Sequence, residues 1–253
     1  MSAIQPPNQA HQLPPQEILM QMITSAWVSQ SIYVAAKVGV ADLLKDGSKS
    51  ASELAKSLDV NADALYRILR ALSSIGIFAE LEDKQFQLTP MAEYLRSDIS
   101  NSMRGVALWM GSATTRWQTW GNIFYSLQTG KPAFDDVNGM PIFEYFAQNP
   151  EASAVFNEAM TSFSATEAVA VVDFYDFSSI KTLVDVGGGH GYLLTSILKA
   201  NPTLKGIVYD LPSVVESATL HQGIPEIQGR YEVVSGSFFE SVPKRPYTGY
   251  GVA

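Results

Sequence analysis

The sequence predicts an α/β protein in two parts, an N-terminal α-helical winged-helix domain and a C-terminal domain built on parallel strands. The first part is predicted by two amphipathic helices and two short alternating segments between residues 50 and 89. The second is predicted by three buried-strand patterns near the C-terminus, the first of which runs into a glycine-rich turn. A chain of 253 residues is long enough for both parts.

The winged-helix prediction follows from the order of elements after residue 50. Ser50 and Glu53 have the spacing of a capping box, so a short helix should begin there. Asn61 can cap a second helix, and Gly76 stands where a helix commonly ends. The segments IFAEL and QFQLT alternate in polarity around a charged turn at residues 82–84, as the strands of a hairpin do. Helix, helix and hairpin in this order are typical of a winged helix.

Winged helices often bind DNA, but the charge of this one disfavours that role. Residues 51–100 carry five basic and eight acidic side chains, and the whole chain has a net charge of -8. A DNA-binding module should present a basic face. We therefore expect no nucleic-acid partner and interpret the domain as a dimerisation or structural unit. An apolar helical pattern from Ile18 to about Leu44 indicates a helix buried against a partner, which could be a second subunit.

Composition excludes several other kinds of site. The chain has no cysteine, which rules out disulfides, thiolate metal sites and cysteine nucleophiles, and we predict no metal site. No charged segment followed by an apolar run opens the sequence, and polar residues interrupt its longest apolar stretch. We therefore expect no signal peptide, no membrane span and no membrane partner. The expected location is the cytoplasm.

The pattern of residues along the chain suggests four segments. Residues 1–16 carry four prolines and few apolar side chains, which predicts a disordered tail. Residues 17–100 are predicted to form the winged-helix dimerisation domain, residues 101–178 a helical connector, and residues 179–253 the partial parallel α/β domain. The connector is rich in aromatic and methionine side chains. We expect most of them in the core, although such side chains also line sites for flat apolar ligands.

The glycine-rich turn follows the strand pattern TLVDV. It has the form Asp185-x-Gly187-x-Gly189-x-Gly191, and a helical pattern follows it. The spacing lacks the third glycine of the dinucleotide-binding pattern, and no Gly-Lys-Ser/Thr follows as in a P-loop. A carboxylate beside the turn disfavours a diphosphate and suits a cationic group such as an amino-acid ammonium.

A second acidic residue extends this pattern. Asp210 ends the second strand pattern, GIVYDL, 19 residues after Gly191, where a carboxylate can accept both hydroxyl groups of a ribose. PSVVESATL then predicts a helix, and YEVVSGSFF a third strand. A nucleoside that carries an amino acid fits both acidic residues. A tight strand-to-helix turn without a ligand is the alternative explanation of the glycines.

Together these motifs resemble those of S-adenosylmethionine-dependent O-methyltransferases of the plant caffeic-acid and hydroxyindole type, which also occur in bacteria. The resemblance runs from about residue 18 to residue 243 and includes LVDVGGGHG, VYDLPSVV, FFESVP, FNEAM and YDFS, with the winged helix ahead of them. It implies a Rossmann-like class I methyltransferase domain, S-adenosylmethionine as cofactor and a homodimer formed through the winged helix. The implied reaction methylates the hydroxyl group of a small aromatic molecule.

The resemblance also implies roles for individual residues. Ser164 would contact the cofactor carboxylate, Asp210 the ribose and Leu211 the adenine, while many relatives have aspartate at the position of Ser237. The implied cofactor site consists of Ser164, Asp185, Gly187, Gly189, Gly191, Asp210, Leu211, Gly236, Ser237 and Phe238. The implied acceptor pocket consists of Trp120, Phe124, Met160 and Phe163. The pocket residues and Ser164 are also residues that a helical core would need.

Methyl transfer to a phenol requires loss of the hydroxyl proton, for which a histidine base suits neutral pH. The chain has three histidines, His11, His190 and His221, and none stands where the family has its base. We expect that base beyond the end of the chain and assign no catalytic residue. We also expect TLVDV to present an open sheet edge. The favoured hypothesis is an O-methyltransferase truncated or frame-shifted after Pro243 and impaired in turnover.

Two alternatives stay open at this point. The first is a non-catalytic dimerising or cofactor-binding module that pairs with a full-length relative, and it predicts binding of S-adenosylmethionine or of such a relative. The second, less favoured because of the acidic charge, is a winged-helix DNA-binding regulator, and it predicts salt-dependent DNA binding.

Overall fold

The computed structural model describes residues 13–212, 214–215, 222–243 and 250–252. Most of the predicted N-terminal tail therefore lies outside the described residues, and helix α1, Pro15–Val38, already begins within its last part. Gly39 ends α1 with a φ of 78°, a left-handed conformation that favours glycine, and α2 follows at Val40–Leu44. No helix in the described part of the chain has both the length and the apolar character needed to cross a membrane.

The winged helix forms as its sequence predicts. Ser50 Oγ accepts a hydrogen bond from the Glu53 backbone N–H at 3.2 Å, and the Glu53 carboxylate accepts one from the Ser50 N–H at 2.8 Å, which completes the capping box. The side chain of Asn61 accepts from the Ala64 N–H at 2.9 Å and begins the second helix. The elements are β1 (Lys49–Ser50), α3 (Ala51–Leu58), α4 (Ala62–Ser74), β2 (Phe78–Glu80), β3 (Gln85–Leu88) and α5 (Pro90–Glu93).

The predicted hairpin is antiparallel and closes the core of this domain. β2 pairs with β3 so that Phe78 lies opposite Leu88, and β1 adds a third strand on the other side of β3. Phe78 and Phe86 are fully buried together with Leu54 and Leu69 of the two helices. The two alternating segments thus supply one apolar face to the helices.

A helical connector follows the winged helix. Its first helix, Arg104–Gly111, packs against α1. Its last helix, Pro150–Phe174, packs against that first helix and against the helix after the glycine turn, so the connector joins the two domains. Trp109 and Phe146 are buried, but Trp120, Phe124 and Phe143 are more than half exposed, so the expectation that most aromatic side chains lie in the core is wrong. The elements are α6 (Arg104–Gly111), a π-helical turn (Ala113–Trp117), α7 (Gln118–Gly121), α8 (Ile123–Thr129), α9 (Ala133–Asn138), α10 (Ile142–Gln148) and α11 (Pro150–Phe174).

The C-terminal part is a parallel sheet in the order β6-β5-β4-β7. The first three strands match the predicted strand patterns, with β4 between β5 and β7. Most of the predicted helix PSVVESATL lies outside the described residues, although its Val214 and Val215 are helical. The elements are β4 (Thr182–Val186), α12 (Tyr192–Ala200), β5 (Lys205–Asp210), β6 (Tyr231–Ser235) and β7 (Tyr250–Val252).

The expectation of an open edge at TLVDV is wrong. Residues 250–252 pair in parallel with residues 182–184, so both sides of β4 have a neighbouring strand. A buried strand with unpaired N–H and C=O groups on one side favours any extended segment that can satisfy them. A segment of only three residues is too short to show the alternation by which strands are recognised in a sequence.

Removal of the capping box should destabilise the winged helix. We expect Ser50→Ala to lower the free energy of unfolding by about 1 kcal/mol, because the first turn of α3 loses its side-chain acceptor. Ser57→Ala is the matched control, since the Ser57 hydroxyl only donates to the Glu53 carbonyl of its own helix, and it should change stability by less than about 0.5 kcal/mol. Urea unfolding followed by circular dichroism measures both, and equal effects would contradict the assigned role.

Candidate active site

The carboxyl ends of the parallel strands bring the predicted cofactor segments together. The glycine turn follows β4, Leu211 follows β5, and residues 236–238 follow β6. The Gly187 N–H donates to the Tyr209 carbonyl at 2.8 Å, and the Gly236 N–H donates to the Asp210 carbonyl at 2.9 Å. These hydrogen bonds hold three segments that are distant in the sequence at one edge of the sheet, where parallel α/β sheets bind their ligands.

The glycines of the turn are required for two different structural reasons, their backbone conformation and the space around them. Gly187, Gly189 and Gly191 have φ values of 77°, 56° and 78°, a region that side chains with a Cβ rarely adopt. A Cβ at Gly187 or Gly189 would meet no atom within 4 Å, so these residues present open backbone. A Cβ at Gly191 would overlap the Tyr231 hydroxyl. Tyr231, which the sequence did not single out, thus fills the space under the end of the turn.

Asp185 lies beneath this turn. Its side chain is buried, and its Oδ2 has no hydrogen-bond partner among the described residues. Burial, with a smaller effect from the negative charge of Asp210, raises the pKa of Asp185 to about 6, against an opposing hydrogen bond from the Leu194 N–H. A Cβ at residue 188 would lie 2.8 Å from the carboxylate, so Gly188 is needed as well. A buried carboxylate without a cationic partner beside open backbone fits a positively charged ligand group.

Asp210 is held by backbone hydrogen bonds. Its Oδ2 accepts from the Gly189 N–H at 2.9 Å, and its Oδ1 accepts from the Leu211 N–H at 2.7 Å. Each carboxylate oxygen has a second lone pair, so both oxygens can still accept from ribose hydroxyls. The carboxylate is therefore fixed in place and retains free acceptor sites.

The predicted adenine side consists of tightly packed backbone and exposed apolar side chains. Gly236 lies against the ring of Tyr209, where a Cβ would overlap the phenol, and the Tyr209 hydroxyl donates to the Ser241 carbonyl at 2.7 Å. Leu211 is 37% and Phe238 48% exposed. Ser237, which stands between Gly236 and Phe238 in the sequence, is partly buried. A flat aromatic ring could cover this exposed apolar surface.

Helix α11 contacts the glycine turn through a histidine. Thr161 Oγ1 lies 2.9 Å from His190 Nδ1, and the same hydroxyl donates to the Asn157 carbonyl at 3.0 Å. Because the hydroxyl has one proton, it accepts from His190, which assigns the proton of His190 to Nδ1. Burial lowers the pKa of His190 and favours the neutral ring. The sequence placed His190 inside the turn but gave no indication of this contact.

The predicted acceptor residues do not form one enclosed pocket within the described part of the chain. Phe163 contacts the ring of Trp109 edge to face with centroids 6.4 Å apart, and both Met160 and Phe163 are partly buried on α11. Trp120 is 59% and Phe124 63% exposed. Ser164 is also partly buried on α11, three residues after Thr161. The described residues contain no group of three or more side chains that could hold a metal ion.

The fold and the site together define a Rossmann-like class I methyltransferase with an N-terminal winged helix. Two family models match this chain: an O-methyltransferase domain over residues 120–246 and an O-methyltransferase dimerisation domain over residues 20–98. The chain belongs to the O-methyltransferase family. The predicted family, the two-part fold and the class of enzyme are thereby confirmed.

Individual relatives agree with this assignment. The chain is 43% identical to the phenazine O-methyltransferase PhzM of Lysobacter antibioticus over 236 residues, which are 93% of this chain and 69% of that protein. It is 33% identical to the mitomycin biosynthesis 6-O-methyltransferase of Streptomyces lavendulae, covering 94% of this chain and 68% of that one. The crystal structure of LaPhzM superposes with a TM-score of 0.87 at 42% identity, covering 92% of this chain and 70% of that one.

Two glycine substitutions should separate backbone strain from steric overlap. We expect Gly187→Ala to cost about 1–2 kcal/mol of stability, because only its positive φ is unfavourable. Gly191→Ala should cost at least about 3 kcal/mol, because its Cβ also overlaps the Tyr231 hydroxyl. Combining Gly191→Ala with Tyr231→Phe should recover part of the loss. Denaturant unfolding measures each variant, and a Gly191→Ala chain as stable as Gly187→Ala would refute the assigned contact.

The raised pKa of Asp185 predicts a pH-dependent stability. Between its ordinary value of 3.8 and about 6 the folded chain holds a proton that the unfolded chain has lost. The stability of the wild type relative to Asp185→Asn should therefore fall as pH rises through this range, by roughly 3 kcal/mol, and stay constant above it. Unfolding at several pH values measures the difference, with exposed Asp173→Asn as control. A difference that does not change from pH 4 to 7 would contradict the burial argument.

Proposed function

We propose that this chain is an S-adenosylmethionine-dependent O-methyltransferase that acts on a hydroxyl group of a small aromatic molecule. The observation that carries the proposal is the open backbone of Gly187 and Gly189 between two carboxylates, one buried without a cationic partner and one fixed with free lone pairs. This arrangement suits a nucleoside that carries a cationic amino acid. Solved relatives described as bound to S-adenosylmethionine or its demethylated product support the choice of cofactor.

The side chains at the strand ends would hold the cofactor. S-adenosylmethionine supplies an electrophilic methyl group when bound. Asp210 would accept the ribose hydroxyls, Leu211 and Phe238 would cover the adenine, and Asp185 would lower the electrostatic cost of a positive charge near the turn. Ser164 would donate to the cofactor carboxylate. Fixing two reactants in line is a large part of the catalysis that such a transfer needs.

The aromatic acceptor would lie along α11. Met160 and Phe163 offer apolar surface there, and Trp120 and Phe124 of the preceding short helices offer exposed aromatic surface. A phenol with a pKa near 10 is mostly neutral at pH 7, so a base must take its proton. We assign no base among the described residues. The expectation that the base lies beyond residue 253, and that this chain turns over poorly, stays a prediction.

We further propose that the enzyme is a homodimer that forms through the winged-helix domain and α1. In the single chain, α1 exposes a set of large apolar side chains, and exposed patches of this kind mark interaction sites. The dimerisation-domain match begins at residue 20, within this helix. The exposed side chains are Leu19, Met20, Met22, Ile23 and Trp27. The expected cytoplasmic location stays a prediction.

Binding of S-adenosylhomocysteine tests the proposal. We expect calorimetry to show binding by the wild-type chain and an affinity about tenfold weaker for Asp210→Asn, because the ribose hydroxyls lose a charged acceptor. Asp173→Asn, on the exposed face of α11, should bind like the wild type. Absence of binding by the wild type would refute the proposed function. With S-adenosylmethionine in place of S-adenosylhomocysteine, methylation of a phenol at rates typical of enzymes, about 1 per second or more, would support the function and contradict the expected impairment.

A further inference from the structure

Arg116 is a partly buried cation that lacks an anionic partner in the described part of the chain. It lies in the π-helical turn, a type of helix that often occurs at functional sites. Its guanidinium carbon lies 3.3 Å from the centroid of the Trp109 ring. The four ion pairs among the described residues do not include it, whereas Arg104 of the same connector pairs with Glu158 at 3.4 Å.

Unpartnered polar atoms occur on this arginine, on Trp109, whose ring it contacts, and on Thr119, three residues later. Six buried side-chain nitrogen or oxygen atoms in the described residues have no hydrogen-bond partner, and three of them are Arg116 Nε, Trp109 Nε1 and Thr119 Oγ1. Folded proteins satisfy nearly all such atoms, so a cluster of them indicates a missing ligand or water. The two nitrogens are donors that cannot accept. What the cluster lacks is therefore an acceptor of hydrogen bonds.

Stacking on Trp109 does not satisfy the guanidinium. The ring faces the flat side of the group, while the N–H bonds of a guanidinium point outward in its own plane. Burial lowers the pKa of Arg116 because water is removed from the charge, but an arginine stays charged. A partly desolvated cation with in-plane donors is the arrangement that binds a carboxylate at two points.

The cluster adjoins the predicted acceptor pocket. The Trp109 ring contacts Phe156 at 5.4 Å and Phe163 at 6.4 Å between centroids, and both phenylalanines belong to α11. Trp120 lies four residues after Arg116 in the following helical turn. The Arg116 guanidinium thus lies on the ring of Trp109, which contacts Phe163 of the proposed acceptor pocket.

We propose that Arg116, stacked on Trp109, recognises a carboxylate substituent of the aromatic acceptor. The inference rests on the proposed function and deepens it, since it restricts the acceptors to aromatic hydroxy acids. A single unpaired cation matches the single charge of a carboxylate, whereas a phosphate near -2 would need further donors. Arg116 is accordingly a specificity-determining residue, and the methyl-transfer site itself does not depend on its charge.

Two probes that differ only in this charge test the inference: a hydroxynaphthoate and the corresponding hydroxynaphthamide. Their binding is measured by calorimetry in the presence of S-adenosylhomocysteine. The wild type should bind the acid about tenfold more tightly than the amide, as a charge-assisted hydrogen bond predicts. Arg116→Gln should lose about tenfold for the acid and less than twofold for the amide. Arg116→Lys, which keeps the charge but not the planar fork, should retain part of the preference.

Arg67→Gln changes an exposed arginine of the winged helix that only contacts the Asp63 carbonyl of its own helix, and it should behave like the wild type. Equal losses for both probes in Arg116→Gln would overturn the inference, as would a wild type without preference for the acid. Failure of the proposed function would instead appear as no binding of S-adenosylhomocysteine by the wild type. If Arg116→Gln does not fold, the test is the ratio of the affinities for the acid and the amide in Arg116→Lys, which should be smaller than in the wild type.

Discussion

The candidate site depends on one short stretch of backbone, residues 187–191, in which Gly187, Gly189 and Gly191 have positive φ and which the Asp210 carboxylate holds by a hydrogen bond. The Asp210 side chain binds the Gly189 N–H, and the Tyr209 carbonyl binds the Gly187 N–H. Both contacts exist because β4 and β5 pair in parallel with Asp185 opposite Val208. Two carboxylates are therefore brought to the same edge without a cation between them, an arrangement that favours a positively charged ligand.

The turn is also tied to the helical connector. His190 donates to Thr161 of α11, and α11 packs against both α6 and α12. The helix that offers aromatic surface to an acceptor is thus positioned by the same turn that offers backbone to a cofactor. A change in the packing of α11 would alter both surfaces together, because packed elements move as units and not atom by atom.

Local patterns predicted the elements but not the contacts between them. The capping box of Ser50, the hairpin and the three longer strands follow from neighbouring residues, and so does the glycine turn. The packing of Tyr231 under Gly191 and the pairing of β7 with β4 join residues that are far apart in the chain. The exposure of Trp120 likewise depends on tertiary placement, since an aromatic residue at helical spacing has no local signal that separates core from surface.

The position of β7 has a consequence for the way in which this chain is made. β4 can pair with β5 as soon as residue 210 is available, but β7, its partner on the other side among the described residues, is complete only when residue 252 exists. At about 5–20 residues per second, a nascent chain spends several seconds with one apolar edge of its central strand uncovered. During that interval the edge can accept a strand from a neighbouring chain. Biosynthesis is thus the period in which this fold is most exposed to aggregation and to chaperones.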